Sequence, residues 1–252
     1  MKIIFPELKN PIVEEAIKAF SDITFISTDS LSEAAKLLST GQADTMISGI
    51  DFSSRDVLLA CKDQIPLKSP FFSSCFVGEK GDQHLIIADG GVNKLPTREQ
   101  LYTIVEDTAR TCESYLNEHP RIAMLSYSTK GSGGKNPDLE KIYFVIDEIR
   151  HAHPEWKIDG EMQLDAAIIP RIGEKKIGDS PVAGHANILI TPDLNSGNIL
   201  YKSMEHLGGW TMAGPILQGF DKPIADLSRG SSVEDVILTI KVIQKLCERT
   251  NS

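Results

Sequence analysis

Long apolar runs are missing from this 252-residue chain, which contains no stretch of the ~18 or more apolar residues that a membrane-spanning helix needs. The apolar run in its opening, Met1-Lys-Ile-Ile-Phe-Pro6, is too short for a signal peptide. We therefore expect a cytoplasmic protein without a membrane partner. The length suits one large domain or two modest ones, at the usual ~100–200 residues per domain.

Cysteine is scarce and scattered. The four cysteines, at positions 61, 75, 112 and 247, lie far apart and form no CxxC pair. Zinc sites and disulfide frameworks both depend on regular cysteine spacing, so the sequence predicts neither. Small buried apolar residues in a reducing compartment explain these cysteines better.

Metal-ligand spacing is also absent from the histidines. The six histidines include no His-x-His and no HExxH pattern. His151 and His153 are two residues apart near the end of a predicted helix, so they do not share a helical face. We predict no metal ion.

Positive charge is in the minority, with 26 Lys and Arg against 35 Asp and Glu and a formal net charge of −9. No basic stripe is present that could neutralise phosphates, which argues against a nucleic-acid partner. An anionic substrate would have to be attracted by a local group of Arg and Lys side chains.

The sequence does contain a regular alternation of short apolar stretches and amphipathic segments. In the first part of the chain, segments 2–5, 23–26 and 45–48 predict strands, and segments 12–20 and 29–38 predict helices. Ser30 or Ser32 would cap the second helix. Strands that alternate with helices indicate βαβ units and a parallel sheet, so the predicted class is α/β.

The middle of the chain continues this pattern. Segments 71–77 and 84–88 predict a hairpin, and Thr97 with Gln100 predicts a capping box at the start of a long helix. The pattern next indicates a strand at 122–125, a helix at about 138–150 and a strand at 156–158. We expect a helix to begin at Asp159, and a later one to be capped by Asn195 or Ser196.

A Gly/Ser loop lies between a predicted strand and a predicted helix. Its sequence is Ser126-Tyr-Ser-Thr-Lys-Gly-Ser-Gly-Gly134, and such a loop presents free N–H groups to an anion. It is not a Walker A loop, because Asn136 follows Lys135 and position 129 is not glycine. It also fails the GxGxxG pattern, so the loop by itself does not identify a ligand.

A long loop near the end of the chain contains the strongest candidate site. The stretch 214–230, GPILQGFDKPIADLSRG, leads into a predicted helix that begins near 231–235, SSVED. A hydroxyl, a guanidinium and a carboxylate from Ser228, Arg229 and Asp235 would meet at the helix start. Binding groups collect on such loops, and this set suits an anion that is also an acyl acceptor.

The motifs GPILQG, KPIADLSRG and SVED in this stretch resemble the signature of the phosphate acetyl/butyryltransferase family. Further blocks agree in order: 125–132, 159–167, 180–184 and 192–198. The match covers roughly the last 170 residues, and residues 1–70 match less well. The connection before Ala43 is shorter than the resemblance leads us to expect, so the first lobe is shortened.

The resemblance implies a fold of two three-layer α/β/α lobes with a cleft between them, similar to isocitrate/isopropylmalate dehydrogenase. The first lobe would comprise residues 1–70 plus 215–252, and the second lobe residues 71–214. The C-terminal helix would return to the first lobe.

The family's catalytic serine, arginine and aspartate match Ser228, Arg229 and Asp235. The resemblance implies that Asp235 removes the proton of the CoA thiol, that Ser228 hydrogen-bonds the thiolate or carbonyl oxygen, and that Arg229 neutralises phosphate. Transfer from a free thiol to a free aspartate is uphill by about 6 kcal/mol. We therefore expect Asp235 to be partly buried and close to Arg229.

The alternative for Asp235 is a structural role as a helix cap. Ser232 and Asp235 have capping-box spacing, but Ser231 and Glu234 fit the rule better and would leave Asp235 free. Similarly, the carboxylates of Asp159 and Glu161 have an acid–base and a structural interpretation, and we favour the structural one.

The resemblance also suggests substrate-binding residues. The family's anion-binding arginine falls at Leu58, and Arg55, one turn earlier, would replace it or be a solvated surface residue. Asn93 ends an Asp-Gly-Gly-Val-Asn segment that would lie beside the substrate or simply form a turn. Candidate contacts of CoA or phosphate in the Gly/Ser loop are Ser128, Thr129, Gly131 and Ser132.

The predicted function is a phosphate acyltransferase that converts acyl-CoA and phosphate into acyl phosphate and CoA, with acetyl as the default acyl group. Alternatives are a butyryltransferase-type enzyme and a non-catalytic relative that binds CoA or acyl phosphate. A dehydrogenase is disfavoured because no GxGxxG follows a strand. The resemblance implies no bound cofactor, CoA or acyl-CoA as substrate, other small-molecule substrates only, and a homodimer.

Overall fold

The computed structural model describes residues 1–250 of the chain. The strands are β1 Lys2–Ile4, β2 Thr24–Ile26, β3 Thr45–Ser48, β4 Ser73–Lys80, β5 Gln83–Ala88, β6 Arg121–Leu125, β7 Lys157–Met162, β8 Ile188–Ile190, β9 Thr211–Gln218 and β10 Ile224–Asp226. The helices are α1 Pro11–Ile17, α2 Leu31–Ser39, α3 Ser54–Gln64, α4 Arg98–Tyr115, α5 Pro137–Ala152, α6 Leu164–Ile168, α7 Pro170–Ile177, α8 Leu194–His206 and α9 Val233–Thr250. The predicted α/β class is confirmed, and within the described residues no helix has the length and apolar character to cross a membrane.

The chain forms two compact units, of which unit 1 comprises Met1–Phe72 and the segment from Trp210 onward. Its strands are ordered β2-β1-β3-β10-β9. β1, β2, β3 and β10 run parallel, while β9 is antiparallel to β10. The parallel strands are short and mostly apolar, as expected for strands buried on both faces.

Helices cover both faces of the unit 1 sheet. The chain moves outward from β1 to β2 through α1 and back across β1 to β3 through α2. Because such crossovers are right-handed, α1 and α2 lie on opposite faces. α3 packs with α2, and the C-terminal α9 packs with α1, β3 and β9.

Unit 2 comprises Ser73–Gly209, and its strands are ordered β4-β5-β8-β6-β7. β4 and β5 form the expected hairpin around Gly81 and Asp82, and the other neighbours pair parallel. From β5 to β6 and β7 the chain moves across the sheet in one direction through α4 and α5, which pack together. From β7 it returns to β8 through α6 and α7. The first pair therefore lies on one face and the second pair on the other.

Local capping chemistry was predicted correctly at some helices and wrongly at others. The capping box of Thr97 and Gln100 is confirmed, and Ser30 caps α2. The expected helix at Asp159 is wrong, because Asp159 lies in β7 and α6 begins only at Leu164. Neither Asn195 nor Ser196 caps α8, since Asp193 accepts from the Ser196 N–H at 2.9 Å.

The predicted lobe boundaries, 1–70 plus 215–252 and 71–214, stay a prediction beside the two compact units. Residues 251 and 252 of the predicted first lobe lie outside the described residues.

The end of β3 makes a close approach to the end of β10. Gly49 has a φ of +110°, and an added Cβ would lie 2.3 Å from Oδ1 of Asp226 and 2.6 Å from the carbonyl oxygen of Leu227. Only glycine fits both this backbone conformation and this space. The two strand ends can therefore lie side by side only if position 49 has no side chain.

We predict that Gly49→Ala destabilises the protein by about 3 kcal/mol, because strain at positive φ adds to overpacking. Gly41→Ala is the matched control, because Gly41 also has positive φ, +74°, but has no atom within 4 Å of the added Cβ. It should cost only about 1 kcal/mol. Urea unfolding measures both, and equal costs would contradict the close approach.

Candidate active site

The carboxyl ends of the parallel strands in unit 1 gather the predicted catalytic residues. β10 ends at Asp226, two residues before Ser228 and three before Arg229. Its neighbour β3 ends at Ser48, and the following turn leads to α3, which contains Arg55 as its second residue. Ligands of open α/β sheets bind outside this edge of the sheet.

Asp235 is brought to the same edge by a hydrogen bond to the sheet. Because β9 is antiparallel to β10, β9 begins at the edge where β10 ends. The backbone N–H of Met212, the second residue of β9, donates to Oδ1 of Asp235 at 2.9 Å. The structure therefore places Ser228, Arg229 and Asp235 at one edge of one unit.

The start of α9 has a capping box, but not the predicted one. Ser232 donates to Oδ2 of Asp235 through its backbone N–H at 2.8 Å and its hydroxyl at 2.7 Å, and the Asp235 N–H donates back to the hydroxyl at 3.1 Å. The expectation that Ser231 and Glu234 would form the box is wrong. Asp235 is the third residue of the helix, so a carboxylate there can reach the cap.

Asp235 is buried, with 4% of its surface exposed, which is deeper than predicted. Donors from Met212 and Ser232 occupy both carboxylate oxygens. Within residues 1–250, no ion pair joins Asp235 to Arg229, whose side chain is exposed. Backbone and hydroxyl donors, rather than the guanidinium, therefore hold this carboxylate.

Ser228 and Arg229 stand in a tight turn before α9. The half-buried Ser228 accepts from the Gly230 N–H at its hydroxyl, at 3.2 Å, and from the Ser231 N–H at its carbonyl, at 3.0 Å. These bonds leave the hydroxyl proton of Ser228 available to donate. The turn also exposes the guanidinium of Arg229, which suits a group that binds an external anion.

Arg55 is exposed near the N-terminus of α3, which Ser53 caps by accepting from the Asp56 N–H at 3.3 Å. Leu58, where the resemblance leads us to expect an arginine, is half-buried. Arg55 is therefore free to point towards solvent, and its role in substrate binding stays a prediction.

A further buried carboxyl at the same edge, Glu7, was not predicted from the sequence. Its Oε1 accepts from the Gly49 N–H at 2.7 Å, and its Oε2 accepts from the Ser48 hydroxyl at 3.0 Å. Glu7 thus holds the turn that follows β3. No local motif marks it, because its partners lie about 40 residues away in sequence.

In unit 2, the donors of the Gly/Ser loop are directed at a carboxylate of the protein itself. Oε1 of the buried Glu161, in β7, accepts from the Ser128 hydroxyl at 2.6 Å and from the Gly131 N–H at 2.9 Å. Thr129 donates its N–H to the Ser132 hydroxyl at 3.0 Å and accepts from the Gln163 N–H at 3.1 Å. These contacts order the loop, and its predicted contacts with CoA or phosphate stay predictions.

Two carboxylates of β7 are stabilised in their charged form. Burial opposes the charge on Glu161, but hydrogen bonds from Ser128 and Tyr143 outweigh it and hold the pKa of Glu161 below its usual range. Burial likewise opposes the charge on Asp159, but donors from Lys130 and Ser180 hold the pKa of Asp159 below its usual range. These contacts agree with the structural interpretation of both acids.

Asn93 belongs to a similar closed loop. The buried Asp89 accepts from the Ser74 hydroxyl, from the N–H groups of Gly91 and Val92, and from the side-chain amide of Asn93 at 2.7 Å. The amide of Asn93 therefore orders the loop around Asp89. Contact of Asn93 with substrate stays a prediction.

We predict that Tyr143→Phe lowers the free energy of unfolding by about 1 kcal/mol, because it removes a charge-assisted but partly exposed hydrogen bond. The Tyr143 hydroxyl donates to Oε2 of Glu161 at 2.5 Å, and this bond raises the pKa of Tyr143 to about 12. Tyr127→Phe is the matched control, since the exposed Tyr127 hydroxyl only accepts from Asn136 at 3.3 Å.

The cost of Tyr143→Phe should depend on pH with a definite sign. Because Glu161 has a lowered pKa in the folded protein, its stabilisation is present above the unfolded value of ~4.3 and is lost as the pH falls through the folded value. Urea unfolding should therefore show the difference at pH 7 and lose it in acid. A cost that is the same at pH 7 and in acid strong enough to protonate Glu161 would contradict a charge-assisted bond.

Comparisons with known proteins relate this chain to acyltransferases and to proteins of similar fold. The chain is 42% identical over 227 residues to the phosphate acetyltransferase of Treponema pallidum, covering 85% of this chain and 67% of that protein. The chain thus spans about two thirds of the length of that relative, which fits the predicted shortening of the first lobe.

Solved structures agree with this comparison. A phosphotransacetylase from Streptococcus pyogenes matches with a TM-score of 0.85 and 30% identity, covering 99% of this chain and 94% of that one. A 4-hydroxythreonine-4-phosphate dehydrogenase from Salmonella typhimurium, with a TM-score of 0.61 and 10% identity over 98% of this chain and 99% of that one, shows the dehydrogenase-like fold alone. The family model described as phosphate acetyl/butaryl transferase matches residues 2–243. The chain therefore belongs to the phosphate acetyl/butaryl transferase family.

Proposed function

We propose that this chain transfers an acetyl group between CoA and phosphate, in the reaction acetyl-CoA + phosphate ⇌ acetyl phosphate + CoA. The observation that carries this proposal is that Ser228, Arg229 and Asp235 lie at the same edge of unit 1, at the carboxyl ends of its parallel strands. The 42% identity to a phosphate acetyltransferase supports acetyl over butyryl as the acyl group.

Each side chain has a distinct proposed role at this edge. Arg229 is exposed and binds the phosphate or the phosphoryl end of acetyl phosphate with its forked donors. Ser228 donates its hydroxyl proton to the thiolate or to the carbonyl oxygen as negative charge develops there. Both interactions strengthen as charge builds up in the transition state, which is what accelerates a reaction.

Asp235 is proposed as the group that accepts the proton of the CoA thiol. Its place at the same edge of unit 1 as Ser228 and Arg229, together with its match to the family's aspartate, supports this role. The donors from Met212 and Ser232 hold its orientation, and the carboxylate must share one of these bonds when the proton arrives. A purely structural role as the capping residue of α9 is the competing explanation.

We further propose that CoA contacts the Gly/Ser loop of unit 2 and Asn93, with no bound cofactor, and that the protein is a cytoplasmic homodimer. A cavity of about 400 Å³ beside the loop supports the first part. It is lined by residues that include Gly131, Lys135 and Tyr143. The resemblance alone supports the homodimer.

An acyl-CoA panel tests the proposed function. We expect the wild-type chain to release CoA from acetyl-CoA only when phosphate is present, and to act more slowly on butyryl-CoA. Thiol release measured with a disulfide reagent reports the turnover. CoA binding in calorimetry without turnover of any short acyl-CoA would favour a non-catalytic binding protein instead.

Arg229→Ala provides the matched loss-of-function variant. Removing a charge-stabilising donor should lower kcat/KM by roughly 10²–10³-fold. Arg171→Ala, which removes an exposed arginine of α7 in unit 2, should leave turnover unchanged. Equal activity of the two variants would remove Arg229 from the mechanism.

We predict that Arg55→Ala raises the KM for phosphate about tenfold with a smaller change in kcat, since an anion contact made in both ground and transition state affects mainly binding. Lys62→Ala, at the other end of α3, is the control because it removes an exposed cation from the same helix. Steady-state kinetics at varied phosphate measures both. An unchanged KM would identify Arg55 as a solvated surface residue.

A further inference from the structure

Asp226 is a buried carboxyl group that the proposed reaction does not use. It ends β10, only 1% of its surface is exposed, and its Oδ1 has no hydrogen-bond partner in the described part of the chain. Buried polar atoms without partners are rare in native proteins, and each needs an explanation. This one lies two residues before Ser228.

The surroundings of Asp226 disfavour a charge. Its Oδ1 packs against Gly49 and occupies the position that a side chain at residue 49 would need. Glu7, which follows β1, reaches this turn with its side chain and accepts from the Gly49 N–H. No ion pair among the described side chains, those of residues 1–248, neutralises Asp226 or Glu7, so two buried acids lie at this turn without a cation paired to either.

The other elements packed around Asp226 add no compensating charge. β9 contains no titratable side chain, and Asp235 of α9 is turned to Met212 and Ser232. On α3, burial raises the pKa of the Cys61 thiol to about 12, so that thiol is neutral. Asp51, after β3, is exposed and accepts from Asn10.

The pKa of Asp226 follows from these surroundings. Burial raises it, the Ser54 hydroxyl partly opposes this, and Glu7 raises it further, to about 7. The carboxyl is therefore protonated in mildly acidic solution and ionises near neutrality. Ionisation would place a negative charge beside the Glu7 carboxyl, on a buried group whose Oδ1 lies against Gly49 and has no hydrogen-bond partner among the described residues.

We propose that Asp226 is a positioning residue whose neutral carboxyl keeps the end of β10 packed against the turn after β3, and so holds Ser228 and Arg229 in position for the anionic substrate. This inference rests on the proposed function for the identity of that substrate as phosphate. When the carboxyl ionises, repulsion from Glu7 loosens the strand end, and the phosphate site weakens.

The sign of the pH effect follows from the raised pKa. Between the unfolded value of ~3.9 and the folded value of about 7, the folded protein keeps a proton that the unfolded chain has released. The contribution of Asp226 to the free energy of unfolding is therefore greatest in acid and falls as the pH rises through this window. Phosphate binding should weaken as the pH rises through the folded pKa.

Asp226→Asn tests the inference, because the amide has the shape of the carboxyl but cannot ionise. The thermal midpoint of the variant should gain on the wild type as the pH rises from 5 to 8. Asp63→Asn removes an exposed carboxylate from α3 and should show no such gain. A gain for Asp226→Asn that is equal at pH 5 and pH 8 would overturn the inference.

Phosphate binding gives the readout that a merely structural role would not change. By titration calorimetry, the dissociation constant of wild type for inorganic phosphate should rise about tenfold relative to that of Asp226→Asn between pH 6 and pH 8. Phosphate itself ionises identically in both experiments, so the ratio isolates Asp226. A constant ratio, or the absence of phosphate binding to wild type, would overturn the positioning role.

A measurement on the wild type alone covers the case in which Asp226→Asn does not fold. Carbon-13 NMR of the aspartate carboxyls should show one that titrates near pH 7, and titration of every aspartate below pH 5 would overturn the inference. Failure of the proposed function is distinguishable, because it appears as absent acyl turnover while the NMR and phosphate titrations still report on Asp226.

Discussion

The parallel pairing of β10 with β3 is the constraint on which the candidate site depends. It joins residues 224–226 to residues 46–48, which lie far apart in the chain, and it brings the loop of Ser228 and Arg229 beside the turn that leads to α3. The pairing requires Gly49 to have no side chain, because the end of β10 occupies that space. A backbone contact therefore determines where the predicted catalytic side chains lie.

The same pairing explains why acidic groups collect at this edge. Glu7 accepts from the turn after β3, Asp226 ends β10, and Asp235 accepts from the start of β9. Glu7 and Asp235 accept from backbone N–H groups that would otherwise be unpaired, and Asp226 ends a strand at the edge. An anionic substrate at such an edge must be held by cations, and Arg229 and Arg55 are the exposed arginines that the turn and the helix start provide.

Unit 2 uses carboxylates in another way. Glu161 and Asp89 each fill a loop whose N–H groups and hydroxyls would suit an external anion. From sequence, a Gly/Ser loop before a helix predicts an anion site, and its contact with CoA or phosphate stays a prediction. The anion that the donors meet is the protein's own side chain, which only the tertiary structure could show, since Glu161 lies 30 residues from Gly131.

The sequence by itself determined the α/β class, the capping box of Thr97, the β4–β5 hairpin and the identity of the family, because periodicity, local caps and contiguous motifs are short-range information. Local rules failed where a distant partner competes: Ser231 and Glu234 fit the capping rule, but Asp235 also gains the Met212 N–H and forms the box instead. The sequence pattern around Asp159 is typical of an acidic residue at a helix start, but the pairing of β7 with β6 extends the strand through it. Only the tertiary structure placed Glu7 and Asp226 together, because their burial depends on strand pairings between segments that sequence patterns treat as independent.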